Sequence, residues 1–227
     1  MSARDAILNR VRHSLGAQGQ DTGRQTAAEQ HVAARQRHPI PDRVAGKDAT
    51  ALKQVFREQL EAVSATVIDV ADAADIASAI ADYLRGTNRP LALRVGDDAD
   101  LAAIDWQAEP TMEISFGAAR PDDAVGLSRA VAGVAETGTL MLASGPDNPV
   151  TLNFMPETHI VVLNAEDIVE AYEDGFDVLR ERFGSNEMPR TVNLISGPSR
   201  TGDIGGRLVM GAHGPRQFCV IVVNAKD

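Results

Sequence analysis

Short apolar runs recur along this chain at 66–70, 91–95, 112–116, 124–129, 139–143, 159–163, 191–195 and 217–223, with amphipathic stretches between most of them. That alternation constrains the fold more than any other feature. A helix with one apolar stripe has to bury it, and a sheet face between two strands is where it does so. Leu52, Val55, Phe56, Leu60 and Val63 lie on one helical face, and a second helix over 72–84 carries Ile76, Ile80 and Leu84 behind a capping Asp72. Asp97, Asp98 and Asp100 open a short helix toward Ile104, and Val150–Met155 predicts one helical turn. A longer helix is expected from Glu166 to Arg182, with Ile168, Tyr172, Phe176, Leu179 and Phe183 inward and Gly184 as its stop. Between 112 and 164 the strands follow too closely for helical crossovers, which predicts an antiparallel excursion there. The fold class is therefore α/β, a layered, mostly parallel or mixed sheet flanked by helices and preceded by an N-terminal helical arm.

The first 47 residues differ from the rest. Residues 2–15 predict a helix, with Ser2 as N-cap and Ile7, Leu8, Val11 and Leu15 at helical spacing. Residues 17–47 hold almost no large apolar side chain and read as a linker. The division expected is 1–47, helix and basic arm, and 48–227, the α/β domain. Residues 1–47 carry a net +4 against −10 for the whole chain. An acidic body excludes general nucleic-acid binding, which needs a clustered basic surface. No apolar run approaches the length of a membrane span. Cys219 is the single cysteine, so the chain forms no internal disulfide and holds no iron–sulfur cluster of its own. A cytoplasmic protein is expected, with no cofactor bound by this chain.

Two polar stretches at strand ends are the candidate site. In the first, Glu136, Thr137, Gly138 and Thr139 run directly into an apolar strand; in the second, Ser196, Gly197, Ser199, Arg200, Thr201 and Asp203 follow one. Carboxylates and hydroxyls at strand edges are costly to bury, and Gly-rich polar loops present N–H groups and a guanidinium to an anion. Glu136 reads either as general base or nucleophile, or as a carboxylate that fixes its own loop. Asp203 or Thr201 is expected to cap a short helix that follows. His213, in the turn 211–215, is a candidate acid–base, against the plainer reading of a hydrogen-bonded turn histidine. His159 opens an apolar strand and reads as a satisfied near-core histidine. No metal-ligand spacing is present, and a Ser199–His213–Asp203 triad lacks a nucleophile elbow. The two stretches are expected to lie side by side at one end of the sheet and enclose one pocket.

The runs AETGTLML (135–142), HIVVLNAEDIV (159–169), SGPSRTGDI (196–204) and GAHGP (211–215), in this order and spacing, resemble the lactate utilization protein C family, which has a LUD domain. The resemblance implies a fold similar to the ribose-5-phosphate isomerase, glucosamine-phosphate deaminase and CoA transferase superfamily. It also implies work beside two companion proteins, one cysteine-rich and one carrying iron–sulfur clusters, in oxidising L-lactate to pyruvate. Three readings follow. The first is an accessory or substrate-handling subunit that binds a small carboxylate or anionic ligand. The second is a free-standing enzyme acting on a sugar phosphate, folate or acyl-CoA, with Glu136 as base or nucleophile. The third is a pure assembly module, in which the loops are only turn chemistry. Separately, the N-terminal helix offers a surface for a homo-oligomer.

Overall fold

The structure, a computed structural model, describes residues 2–16, 22–34, 37, 39–184, 187–203 and 205–224. It divides at residue 39/40 into an N-terminal unit and the body. The N-terminal unit contains α1 (Ala3–Ser14) and α2 (Thr22–Ala34). Ser2 caps α1 reciprocally with Asp5: Asp5 N donates to Ser2 Oγ at 3.2 Å and Ser2 N to Asp5 Oδ2 at 3.0 Å. Helix α2 corrects the expected linker. Its Ala, Gln and Glu residues favour helix without any apolar face, so propensity forms an element that hydrophobic periodicity cannot detect. Residues 17–21, 35, 36 and 38 of that linker lie outside the described residues. The body begins earlier than residue 48, because Val44 is fully buried and Ile40 packs beside it.

The body runs α3 (Ala49–Ala62), β1 (Thr66–Val70), α4 (Ile76–Gly86), β2 (Ala92–Val95), α5 (Ala99–Ala102), β3 (Glu113–Phe116), β4 (Val125–Arg129), β5 (Ala132–Val134) and β6 (Thr139–Ala143). It continues with α6 (Thr151–Phe154), β7 (Thr158–Asn164), β8 (Ile168–Val169), α7 (Tyr172–Phe183), β9 (Val192–Ile195), β10 (Arg200–Thr201), β11 (Val209–Met210) and β12 (Gln217–Val223). Six strands form one parallel sheet in the order β1-β12-β7-β4-β2-β3. A second sheet, β8-β5-β6-β9, pairs β6 antiparallel to both β5 and β9. This is the antiparallel excursion, although it forms a separate layer rather than joining the main sheet.

Alternation along the central strands assigns their two faces. Ile160 and Val162 of β7, with Cys219 and Ile221 of β12, pack on α4 through Ile76, Ile80 and Leu84. Val161 and Leu163, with Phe218, Val220 and Val222, face α3 and the inner side of the second sheet, Leu140 and Leu142. Both faces are covered, and this is why β7 and β12 read as unbroken apolar runs. The outer side of the second sheet, Val134 and Met141, buries Leu179 and half-buried Phe176 of α7. The layers are thus helix, parallel sheet, mixed sheet, helix, with β8 parallel to β5 in the second sheet.

Two expected helices differ. Ile168 is not on α7: it sits in β8, opposite Gly133 of β5, and the helix starts at Tyr172, where Asp174 Oδ2 accepts from Ala171 N at 3.1 Å. The helix expected after Asp203 does not form among the described residues. Residues 202, 203 and 205–208 lie in turns between β10 and β11, and Asp203 N donates to Thr201 Oγ1 at 3.3 Å. The first residue of that expected helix, Ile204, lies outside the described residues.

Candidate functional site

Pairing of β6 with β9 sets Leu140 opposite Ile195, so the polar residues just beyond both strand ends meet. Thr139 Oγ1 and Ser196 Oγ are 2.7 Å apart. Thr139 Oγ1 also bonds Thr137 Oγ1 at 2.7 Å and Tyr172 OH at 2.9 Å, and Thr137 Oγ1 donates to Tyr172 OH at 3.0 Å. Gly138, at φ +62°, makes the turn between the two threonines. A Cβ there would stand 2.8 Å from Leu60 N of α3, so only glycine lets the loop lie against that helix. These four hydroxyls satisfy one another, and Glu136 sits beside them with its backbone N–H donating to Glu170 O at 3.1 Å. The two polar stretches therefore do fold side by side, but they touch through a closed knot of hydrogen bonds rather than around a shared pocket.

The cavity lies on the other side of Ser196. It has a volume of about 300 Å3, and its polar lining includes Asn153, His159, Ser196, Ser199, Arg200 and His213. Phe154, Phe218 and Gly197 complete its walls. Of the residues expected to form the site, Ser196, Gly197, Ser199, Arg200 and His213 come together here. Glu136, Thr137, Gly138, Thr139, Thr201 and Asp203 do not line it. The His213 turn is clasped to the β10 segment: Ser199 N donates to Pro215 O at 2.8 Å, Gly211 N to Ser199 O at 2.8 Å, and His213 N to Ser199 Oγ at 3.3 Å. It is the His213 backbone that meets Ser199, so these residues form no catalytic triad. Among the described residues no carboxylate pairs with the exposed Arg200.

Two members of the cavity were not anticipated in that role. His159 is fully buried on β7, with Nε2 2.7 Å from Ser128 Oγ on β4 and its ring edge against Phe218 at 5.4 Å between centroids. Its Nδ1 has no partner, so it is only half satisfied. Burial lowers its pKa from 6.5 to about 3, and the ring is neutral at physiological pH. Asn153, on α6 and 1% exposed, likewise has an unpartnered Oδ1. Orphaned polar atoms at this depth are rare, because each costs about 1–3 kcal/mol. Two residues with such orphans, His159 and Asn153, line this one cavity. The only sequence signal was a histidine and an asparagine inside otherwise apolar segments.

A second cavity, about 470 Å3, lies at the carboxyl ends of β4, β7 and β12, but its lining is mainly apolar and its Arg129 is paired with Asp100 at 3.1 Å. A neighbouring cavity of about 290 Å3 holds one orphan, Asn148 Oδ1, whose Nδ2 donates to Ala143 O at 3.0 Å. Neither combines an unpaired cation with two buried orphan atoms. Among the described residues no group of three or more His, Cys, Asp or Glu is placed to hold a metal ion, and no helix is long and apolar enough to cross a membrane.

Known proteins share this architecture. A DUF162 family protein from Deinococcus radiodurans superposes with a TM-score of 0.57 at 20% identity, over 78% of this chain and 99% of that one, which shows the fold. Lactate utilization protein C of Bacillus subtilis is 29% identical over 133 residues, 55% of each chain. That of Geobacillus sp. strain WCH70 is 34% identical over 101 residues, 44% of this chain and 42% of that one. An uncharacterized protein of Neisseria meningitidis is 40% identical over 98 residues, 43% and 41% of the two chains. The chain spans about half the length of the curated relatives it matches. The LUD domain model matches residues 53–223, three-quarters of the sequence and nearly the whole body, and the chain belongs to the LUD domain family.

Proposed function

We propose that this protein is a substrate-handling subunit of a lactate-utilization system and binds a small carboxylate in the cavity between β7, β9 and the 211–215 turn. One observation carries the reading: an unpaired guanidinium, Arg200, lines the same cavity as two buried, unpartnered polar atoms, His159 Nδ1 and Asn153 Oδ1. A guanidinium presents two parallel N–H donors to a carboxylate, which suits it to hold an organic acid. Ser199 and His213 shape the opposite wall. In this reading the chemistry of electron removal belongs to cytoplasmic companions, one cysteine-rich and one carrying iron–sulfur clusters, and this chain presents or receives the organic acid. The exposed Ile7, Leu8, Val11 and Leu15 of the N-terminal unit are available for docking to such companions or to a second copy.

The test is calorimetric titration of the purified chain with L-lactate, pyruvate and propionate, with Arg200→Ala as control. Saturable one-to-one binding by at least one of them is expected, weakened at least about tenfold by the substitution, equivalent to the loss of one charge-assisted hydrogen bond. If none of the three acids binds, or if Arg200→Ala binds as well as the parent, the reading is wrong. Deletion that leaves growth on lactate intact, in a strain without a second copy, removes the system-level part.

A further inference from the structure

Strands β2 and β4 lie side by side in the main sheet, but the chain leaves them in opposite directions: β2 leads outward to β3, and β4 leads across to β7. In an open parallel sheet such a divergence opens a crevice outside the carboxyl ends of the two strands, and ligands of α/β proteins bind there. The cavity of about 470 Å3 stands at this place. Its wall includes Asp100 and Leu101 of α5, which follows β2, and Arg129, the last residue of β4. Buried Ile76, Ile104 and Val162 give it an apolar lining. It shares no lining residue with the cavity around Arg200, and the two stand at opposite ends of β7: His159 lies near the start of that strand and Asn164 ends it.

Arg129 gives this cavity its chemistry. Its side chain is 16% exposed, so solutes reach it, and Asp100, its partner at 3.1 Å, has a side chain 68% exposed. The two ends of the pair are therefore unequal. Asp100 can turn into water at little cost, as exposed ion pairs contribute little, whereas the guanidinium stays against the cavity wall and keeps its need for an anion. Asp105, also on the wall, is turned to Gln107 N at 3.1 Å; Asp167, within electrostatic range of Arg129, accepts from Asn164 Nδ2 at 3.1 Å. We infer that this cavity is a second ligand site, for an organic acid with an apolar body. The carboxylate of the ligand displaces Asp100 from Arg129, and its hydrocarbon fills the space between α4, α5 and the ends of β7 and β12. A cation entering the same space meets the guanidinium and is repelled. The volume sets the size of the ligand: about 470 Å3 falls among pockets for drug-sized molecules, and a short acid such as L-lactate leaves most of it empty. Each methylene withdrawn from water there is worth about fourfold in affinity. Nothing in this inference depends on the Arg200 cavity.

The test titrates octanoate, butyrate and octylamine, each below its micelle concentration, into the intact chain by calorimetry, with and without excess L-lactate. Octanoate is expected to bind one-to-one, at least about tenfold more tightly than butyrate or octylamine, and equally well in either condition. Arg129→Gln is expected to weaken it at least about tenfold. Asp100→Asn removes the competing charge and is expected to tighten it about twofold to fivefold, a gain that a merely structural role for Asp100 does not produce. Should Arg129→Gln fail to fold, the asparagine variant decides, and no gain in affinity overturns the displacement. Octylamine binding as tightly as octanoate overturns the acid preference, and butyrate doing so overturns the apolar body. Displacement of octanoate by L-lactate places it in the Arg200 cavity and overturns the second site. Absence of octanoate binding overturns the whole inference and leaves the lactate reading as it was.

Discussion

Two polar regions lie on either side of Ser196, and they differ in whether their hydrogen bonds are met. Around Thr137, Thr139, Tyr172 and Ser196 every hydroxyl is met by another hydroxyl, at 2.7 to 3.0 Å. On His159 and Asn153, more deeply buried, Nδ1 and Oδ1 meet no partner. The knot is part-buried and the cavity pair fully buried, but polarity alone does not separate structure from function here. The unsatisfied group does. A closed network stabilises the loop that holds β6 against β9, whereas an open one stores a cost that a ligand can relieve.

Substitutions can break this comparison, and the largest effect should come from Gly138→Ala. It places a Cβ 2.8 Å from the backbone of α3 at a φ of +62°, and we expect about 2–4 kcal/mol of destabilisation in urea unfolding. Thr139→Val keeps the shape of the side chain but removes the hydroxyl shared by three neighbours, at a cost of about 2 kcal/mol. Both variants should bind L-lactate as the parent does. If affinity falls while stability holds, the hydroxyl knot is part of the site and the distinction fails.

The pH dependence of stability sharpens the other half. The folded-state pKa of His159, about 3, lies below the unfolded value near 6.5, so the unfolded chain takes up the proton first. The stability held by neutral His159 is fully present above pH 6.5 and is lost as pH falls toward 3, at up to ~1.4 kcal/mol per pH unit. Urea midpoints of the parent and of His159→Gln, measured between pH 7 and 4, should converge in slope only if this account is wrong. The smallest effect on stability is expected for exposed Arg200→Ala, within about 0.5 kcal/mol, even as it weakens ligand binding about tenfold.

The sequence shows the main sheet more clearly than the second one. Gln217–Val223 of the main sheet, and Thr139–Ala143 as the exception in the second, are legible to the residue because they are apolar runs buried on both faces; Thr66–Val70 is legible although Thr66 and Asp69 are exposed. Strands β5, β8, β10 and β11 have two or three residues each, too few for any period to register. Ile168 matches the helical spacing of Tyr172 and Phe176 by coincidence, since the chain is extended at Ile168–Val169 and the helix begins only at Tyr172. At the site, Arg200, Ser199 and His213 stand out as polar residues in Gly-rich loops. His159 and Asn153 do not, because a strand histidine reads the same whether or not its second nitrogen finds a partner. Satisfaction of a hydrogen bond is a three-dimensional property, and it is the one that separates this cavity from the hydroxyl knot beside it.

Strand β1 has a single neighbour in its sheet, β12, and Thr66 is paired with Cys219, 153 positions further along the chain. On a ribosome adding about 5–20 residues per second, the earlier strand waits roughly 8–30 s for its mate to emerge. Once β7 has itself been made, for the last third or so of that interval, it also lacks one side of its pairing. The apolar surfaces of both strands are then open to other nascent chains, so newly made protein depends on chaperone shelter or slow expression, and any truncation before residue 217 leaves the sheet divided into two edges that cannot close.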